Sequence, residues 1–253
     1  MQALLWDVDG TLAETELDGH LVAFNAAFEA LEQPWRWSPE RYGELLRVAG
    51  GFERLLADLR TQPSTRELDE DVRRALARRI HVVKNQRYSQ LVSGGALPLR
   101  PGVRELFDEC AAAGVCMAVV TTTSRGNVQA LLSAQLGSDW SQRFATIVGA
   151  EDAPDKKPDP QAYRIALERL YVQGRDALAI EDSPAGLRAA TCAGVPCVIT
   201  RSRYFPDDPV PGALAVGPGL GSASGWTPAV GTASPRVGLA ELRAWHGRHR
   251  AAS

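Results

Sequence analysis

The chain has 253 residues, 45% of them hydrophobic and 23% charged, with a formal net charge of −2. That length suits one large domain, or one domain with an insert, and can bury a substantial core. The near-neutral balance argues against nucleic-acid and membrane-surface partners but leaves room for a small anionic substrate in a locally positive pocket. No stretch reaches the ~18 apolar residues of a membrane span. No basic segment precedes an apolar run at the N-terminus, so a secretory signal is not expected and a cytoplasmic location is. The cysteines Cys110, Cys116, Cys192 and Cys197 form no C-x-x-C and have no neighbouring histidines. They read as inert, partly buried thiols.

The first element is an apolar strand over Ala3 to Trp6, followed at once by DVDGT at 7–11. Acids directly after a core strand are costly unless partnered, so Asp7 and Asp9 mark a candidate site. An EF-hand fails because Gly10 comes too early, and a hairpin fails because Leu12 and Ala13 lead into helical sequence. From 14 to 96 the pattern is helix after helix. Ala23, Phe24, Ala27, Phe28 and Leu31 recur at helical spacing. Ser38-Pro39-Glu40 supplies a capping oxygen, a first-turn proline and an acid at the positive end of the dipole. A long helix is predicted from Glu67 to Leu91, closed by Gly94-Gly95.

Beyond 96 the rhythm becomes strand, helix, strand. Apolar runs lie at Cys116 to Val120, Ala145 to Val148, Ala177 to Ile180, Val195 to Ile199 and Leu214 to Val216. Helices are predicted over Pro101 to Ala113, Asn127 to Leu136, Pro160 to Leu170, Ala185 to Ala193 and Leu239 to His246. Continuous apolar strands alternating with helices mean a parallel sheet covered on both faces. The predicted fold is therefore α/β: a Rossmann-like doubly wound sheet built from 1–13 and 97–253, with an all-helical cap inserted at 14–96. The glycine-rich stretch at 217–225 lacks the spacing and the following helix of a dinucleotide loop and reads as a flexible turn.

Four polar motifs sit at predicted strand ends: DVDGT at 7–11, TTTS at 121–124, DKKPDP at 155–160 and EDSPAG at 181–186. Taken singly, the last three also read as a polar turn, a solvated basic loop and a helix cap. Open α/β sheets bind ligands beyond the carboxyl ends of their strands, where all four motifs lie. Asp7, Asp9, Glu181 and Asp182 would repel one another unless a cation sat between them. Oxygen ligands without His or Cys favour a hard ion such as Mg²⁺. Carboxylates, a lysine and hydroxyls around that ion form a constellation suited to phosphoryl transfer.

These motifs, in this order, resemble the haloacid dehalogenase-like hydrolases with a helical cap after the first strand. TELDGHLVAFNAAF at 15–28, YGELL at 42–46, GGFER at 50–54, LPLRPGV at 97–103 and TTTSRGNV at 121–128 are similar to the CbbY proteins. The resemblance implies Mg²⁺-dependent removal of a phosphate from xylulose 1,5-bisphosphate, a Rubisco inhibitor. The same core also serves β-phosphoglucomutase-like mutases and phosphoglycolate phosphatases. By this resemblance Asp7 is the nucleophile and Asp9 the acid and base. Thr121 and Lys157 bind the phosphoryl group, and Lys156 is supporting. Asp7, the Asp9 carbonyl, Asp182 and Glu181 hold the metal. Thr15, His20, Tyr42, Arg47, Gly50, Gly51, Arg54, Thr122 and Thr123 are the expected substrate-binding set. The family pattern GGKER has lysine where this chain has Phe52, which leaves Arg47 or Arg54 to supply charge at a distal phosphate. A sugar phosphate is the expected partner, and a monomer the expected state.

Overall fold

The computed structural model describes residues 1–231 and 234–252. Among them six strands form one parallel sheet: β1 (Ala3–Trp6), β2 (Cys116–Val120), β3 (Thr146–Val148), β4 (Ala177–Glu181), β5 (Cys197–Thr200) and β6 (Ala215–Gly217). The spatial order is β3-β2-β1-β4-β5-β6. The order reverses between β1 and β4, so the loops leaving their carboxyl ends diverge and open a crevice there. Trp6 is level with Val119 on one side and Ile180 on the other. The next residues, Asp7, Val120 and Glu181, therefore emerge level with one another.

Strand alternation sends side chains to two separate cores. Leu4, Trp6, Val119, Leu178 and Ile180 face one. It is shared with α5 (Val103–Ala112), α6 (Arg125–Leu136) and α9 (Leu239–Ala252). Ala3, Leu5, Ala118, Ala177 and Ala179 face the other, under α7 (Gln161–Leu170) and α8 (Pro184–Cys192). Small alanines on that face let those helices approach closely. The helix predicted to end at His246 runs on to Ala252, its first turn held by Glu109, which accepts from the Leu239 N–H at 2.6 Å.

Between β1 and α5 the described chain is helical, with no strand. A π-helical stretch (Glu16–Leu21) leads into α1 (Val22–Ala30), α2 (Pro39–Leu45), α3 (Gly51–Leu59) and α4 (Glu70–Ser93). Ser38 caps α2 as its sequence suggests, accepting from Arg41 N–H at 3.2 Å. The long helix starts three residues later than predicted, because Asp69 caps it by accepting from Asp71 N–H at 2.8 Å. The aromatics Phe24, Phe28, Trp37 and Tyr42 pack among leucines of α2 and α3 in a third core. The far end of α4 instead joins the first core through Tyr88 and Val92 and lies against α6. The chain returns through an isolated bridge between Ala13 and Leu99.

Candidate active site

Lys157 stands at the centre of the crevice. Its ammonium donates to Asp7 Oδ1 at 2.7 Å, Val120 O at 2.9 Å and Glu181 Oε1 at 2.6 Å. An ammonium has three N–H donors, and each here reaches the end of a different strand. Tyr163, on α7, donates to the same Glu181 oxygen at 2.6 Å. Asp182 accepts from Ser202 Oγ at 2.7 Å. The second Glu181 oxygen is buried and has no partner among the described residues.

Asp7, Glu181 and Asp182 bring carboxylate oxygens within 4.8 Å of one another, all buried. One lysine faces three acids, so the cluster is short of positive charge. Burial, then the Glu181 charge, pushes Asp7 up to about 8 against the pull of Lys157. Burial and the Asp7 charge likewise hold Asp182 well above the usual carboxylate range. An all-oxygen site with unbalanced negative charge and an unpartnered buried carboxylate oxygen fits a hard divalent cation.

Asp9 is two residues from Asp7 but has different company. Thr15 Oγ1 donates to Asp9 Oδ1 at 2.5 Å, and His20 Nε2 lies 2.9 Å from the same oxygen. Burial alone would raise its pKa, but the adjoining His20 and these hydrogen bonds hold it down to about 2. Lys84 Nζ sits 2.9 Å from His20 Nδ1. An ammonium only donates, so Nδ1 accepts, and Nε2 carries the proton that points at Asp9. Tyr88 stacks on the imidazole with ring centroids 4.4 Å apart. Burial depresses Lys84 to about 8, partly offset by the Asp9 and Glu16 charges.

Two cavities open here. One of about 340 Å³ is walled by Asp7, Asp9, Arg47, Thr122, Lys157 and Asp182, among others. The other, about 400 Å³, is walled by His20, Gly50, Gly51, Phe52, His81, Lys84 and Thr123, among others. Asp9, Glu16, Arg54 and Thr122 border both. Arg54 donates to Tyr42 Oη at 2.7 Å, and Tyr42 donates to Glu16 at 2.5 Å. The Nε of Arg54 is buried without a partner among the described residues. Phe52 meets the His81 ring edge-to-face at 6.1 Å between centroids.

The predicted residues thus fall into two groups. Asp7, Asp9, His20, Arg47, Gly50, Gly51, Arg54, Thr122, Thr123, Lys157 and Asp182 border the cavities. Thr15 directs its hydroxyl to Asp9, and Tyr42 stands behind Arg54. Thr121 is buried at the end of β2, its hydroxyl accepting from the Thr123 N–H at 3.1 Å. Lys156 pins its own loop through Ala150 O and Ala153 O at 2.7 and 2.8 Å. Lys84, Tyr163 and Ser202 were missed. Lys84 had a signal: it continues the inward stripe Ala77, Ile80, Tyr88 of α4, where a lysine needs a reason. Tyr163 and Ser202 had none, since only the packed sheet brings them to the acids.

Residues 1–194 match the haloacid dehalogenase-like hydrolase family. The plasmid CbbY protein of Cupriavidus necator is 45% identical over 248 residues, covering 97% of each chain. A CBBY-like protein of Arabidopsis thaliana is 38% identical, covering 85% of this chain and 67% of its own. The crystal structure of a mutant CbbY from Rhodobacter sphaeroides in complex with xylulose-(1,5)bisphosphate superposes with a TM-score of 0.83. It is 37% identical and covers 96% of this chain and 99% of its own. The strand order, the acid cluster around Lys157 and this similarity along nearly the whole length agree: the chain belongs to the haloacid dehalogenase-like hydrolases and, within them, to the CbbY proteins.

Proposed function

We propose that this protein is a Mg²⁺-dependent phosphatase of a sugar bisphosphate, with xylulose 1,5-bisphosphate as its substrate. The observation that carries the reading is the contrast between two neighbouring acids. Asp7 is gripped by Lys157 beside the acid cluster, while Asp9 is held apart by Thr15 and His20. One carboxylate is placed to attack phosphorus, the other to handle protons. The substrate class rests on the CbbY relatives and on two joined cavities with room for both ends of a bisphosphate. Residues 1–13 and 97–253 act as the catalytic core in this reading, and 14–96 as the cap.

Asp7 Oδ attacks the phosphoryl group and the sugar alkoxide leaves, giving an aspartyl-phosphate. Burial raises Asp7, and a cation held beside it would return it to the carboxylate form, which needs alignment more than further activation; Lys157 supplies that alignment by fixing Oδ1. Lys157 also offsets charge on the phosphoryl oxygens, and the Thr122 hydroxyl and backbone amides after β2 are available as further donors. Asp7, the Asp9 carbonyl and Asp182 would hold Mg²⁺, with Glu181 beside them; bound there, the ion supplies charge neutralisation at the phosphoryl group. An anionic phosphoryl group bound beside Asp9 would raise its pKa and let it carry a proton to the leaving oxygen; the side chain then takes a proton from the water that hydrolyses the intermediate. His20 Nε2–H and Thr15 favour its anionic form, the form needed as base. Arg54 borders both cavities with an unpartnered N–H and suits the distal phosphate, with exposed Arg47 at the rim. Phe52 forms an apolar part of that wall.

The test is phosphate release from xylulose 1,5-bisphosphate with Mg²⁺, beside ribulose 1,5-bisphosphate, β-glucose 1-phosphate and phosphoglycolate. Preference for the xylulose compound is expected, with Asp7→Asn at background. Phosphate release from another ester, still lost in Asp7→Asn, would keep the chemistry and overturn the substrate. No release from any of them, with glucose 1-phosphate isomerised instead, would favour a mutase.

A further inference from the structure

Arg100 lies outside both cavities, on the segment that returns from the helical run to the sheet, next to the isolated bridge at Leu99. Its backbone N–H donates to Leu12 O at 2.8 Å, which places its side chain under the loop carrying Asp9. The guanidinium then reaches four main-chain carbonyls. Nη1 donates to Gly10 O and, at 3.3 Å, to Thr200 O. Nη2 donates to Arg201 O at 2.5 Å and Pro218 O at 2.9 Å. Nε faces Glu14 at 3.6 Å. The side chain is 11% exposed. A guanidinium has five N–H donors in a planar fork, and all its nitrogens here are directed at protein oxygens. It therefore acts through what it holds.

What it holds is the acid site. Gly10 has φ +82° and lies so close beneath the Asp182 carboxylate that a side chain there would overlap it. Arg201 precedes Ser202, whose hydroxyl donates to Asp182. The guanidinium thus fixes both surfaces against which Asp182 rests, as well as the turn following Asp9. The glycine-rich stretch at 217–225, which the sequence left as a flexible turn, completes the seat. Pro218 O is an acceptor, a side chain on Gly219 would come 3.1 Å from Nη2, and Gly102 packs its Cα against Leu220 and Gly221.

We propose that Arg100 is a positioning residue for this reaction: its guanidinium ties the Asp9–Gly10 turn, the Thr200–Ser202 strand exit and the 217–219 turn together, so that Asp182 and Asp9 hold their spacing. The metal aspect of this inference rests on the proposed phosphatase reading. Lysine cannot replace the fork, because a single ammonium at one point cannot reproduce the planar spread of donors that reaches four carbonyls and faces Glu14. The 217–219 turn is a structural seat for that fork.

The test uses Arg100→Lys and Arg100→Met in the full chain, with Ser202→Ala as a partial lesion. Mn²⁺ affinity is read by electron paramagnetic resonance, and kcat and KM with the best substrate of the wild type. Circular dichroism and thermal melts report folding. Both Arg100 variants should bind Mn²⁺ about 10- to 100-fold more weakly and lose a similar factor in kcat, with KM changed less than about threefold. Ser202→Ala should lose part of the Mn²⁺ affinity. Arg100→Lys is the deciding variant if Arg100→Met does not fold. A folded Arg100→Lys with wild-type Mn²⁺ affinity and kcat overturns the proposal. So does a loss of activity that follows only the loss of folded protein. If the wild type binds Mn²⁺ but hydrolyses no phosphate ester, the phosphatase reading falls, and the Mn²⁺ titration still decides Arg100. A wild type that binds no Mn²⁺ overturns both.

Discussion

Asp7 and Asp9 share a loop but not an environment, and the contrast shows how little of an acid's behaviour lies in its own chemistry. Burial and the neighbouring Glu181 raise one to about 8, while His20 and Thr15 hold the other near 2. His81, on the wall of the larger cavity, shows the same principle for a base. Burial, aided by the nearby Lys84 charge and by His20, lowers it from 6.5 to about 4. Above pH 6.5 it is neutral both folded and unfolded and costs nothing. Between 6.5 and 4 the unfolded chain takes a proton that the folded chain refuses. Stability falls with pH across that window by up to about 1.4 kcal/mol per pH unit from this residue. His81→Asn should flatten that part of the stability profile, measured by urea unfolding at successive pH values. A profile parallel to the wild type between pH 6.5 and 4 would show that His81 titrates normally in the fold.

At the scale of elements, α8 shows how a helix start can be shaped by a neighbouring acid. Ser183 caps it, accepting from the Gly186 N–H at 3.1 Å, and Pro184 occupies its first turn. Gly186 presses its bare Cα against the Glu181 carboxylate, where any side chain would overlap. Gly186→Ala must push Glu181 away, and with it the oxygen shared by Lys157 and Tyr163. Overpacking of this kind costs about 1–3 kcal/mol, readable by denaturant unfolding. Turnover should fall at least about tenfold, because Lys157 loses one anchor. Wild-type turnover with full stability would mean that the Glu181 contacts are dispensable. The α4 helix works by a different logic. Arg78, Arg79 and Arg87 face water while Lys84 and Tyr88 turn inward toward His20, so a charged helix contributes buried groups to the site.

For the molecule as a whole, the three buried acids around one lysine make folding and cation binding interdependent. A cation that binds only the folded chain stabilises it by mass action, about 2.7 kcal/mol at a hundred times its dissociation constant. For a chain of this size that is roughly 5–10 °C. Mg²⁺ should raise the melting temperature, chelator should reverse the rise, and Asp182→Asn should largely abolish it. An unchanged melting curve at millimolar Mg²⁺ would argue against the metal site. Among the described residues no helix is long and apolar enough to cross a membrane.

The alternation of apolar strands and helices, the helical run after the first strand, and four polar motifs at strand ends could all be read from the chain, because each is a local pattern in neighbouring residues. So could the expectation of a hard cation, since Asp7, Glu181 and Asp182 lack any His or Cys companion. The sheet order, with β1 and β4 adjacent, could not be read, and it is what brings positions 7 and 181 level. Nor could the partners of Asp9, the place of Lys84, the turn of Tyr42 behind Arg54, or the seat that 217–219 makes for Arg100. These depend on which surfaces meet when segments distant in sequence pack, and hydrogen bonds at such meetings leave no periodicity in the chain. The sequence by itself determined the chemistry available; the tertiary structure decided which carboxylate is gripped by Lys157 and which by Thr15 and His20, because burial and neighbouring charge exist only once the chain is folded.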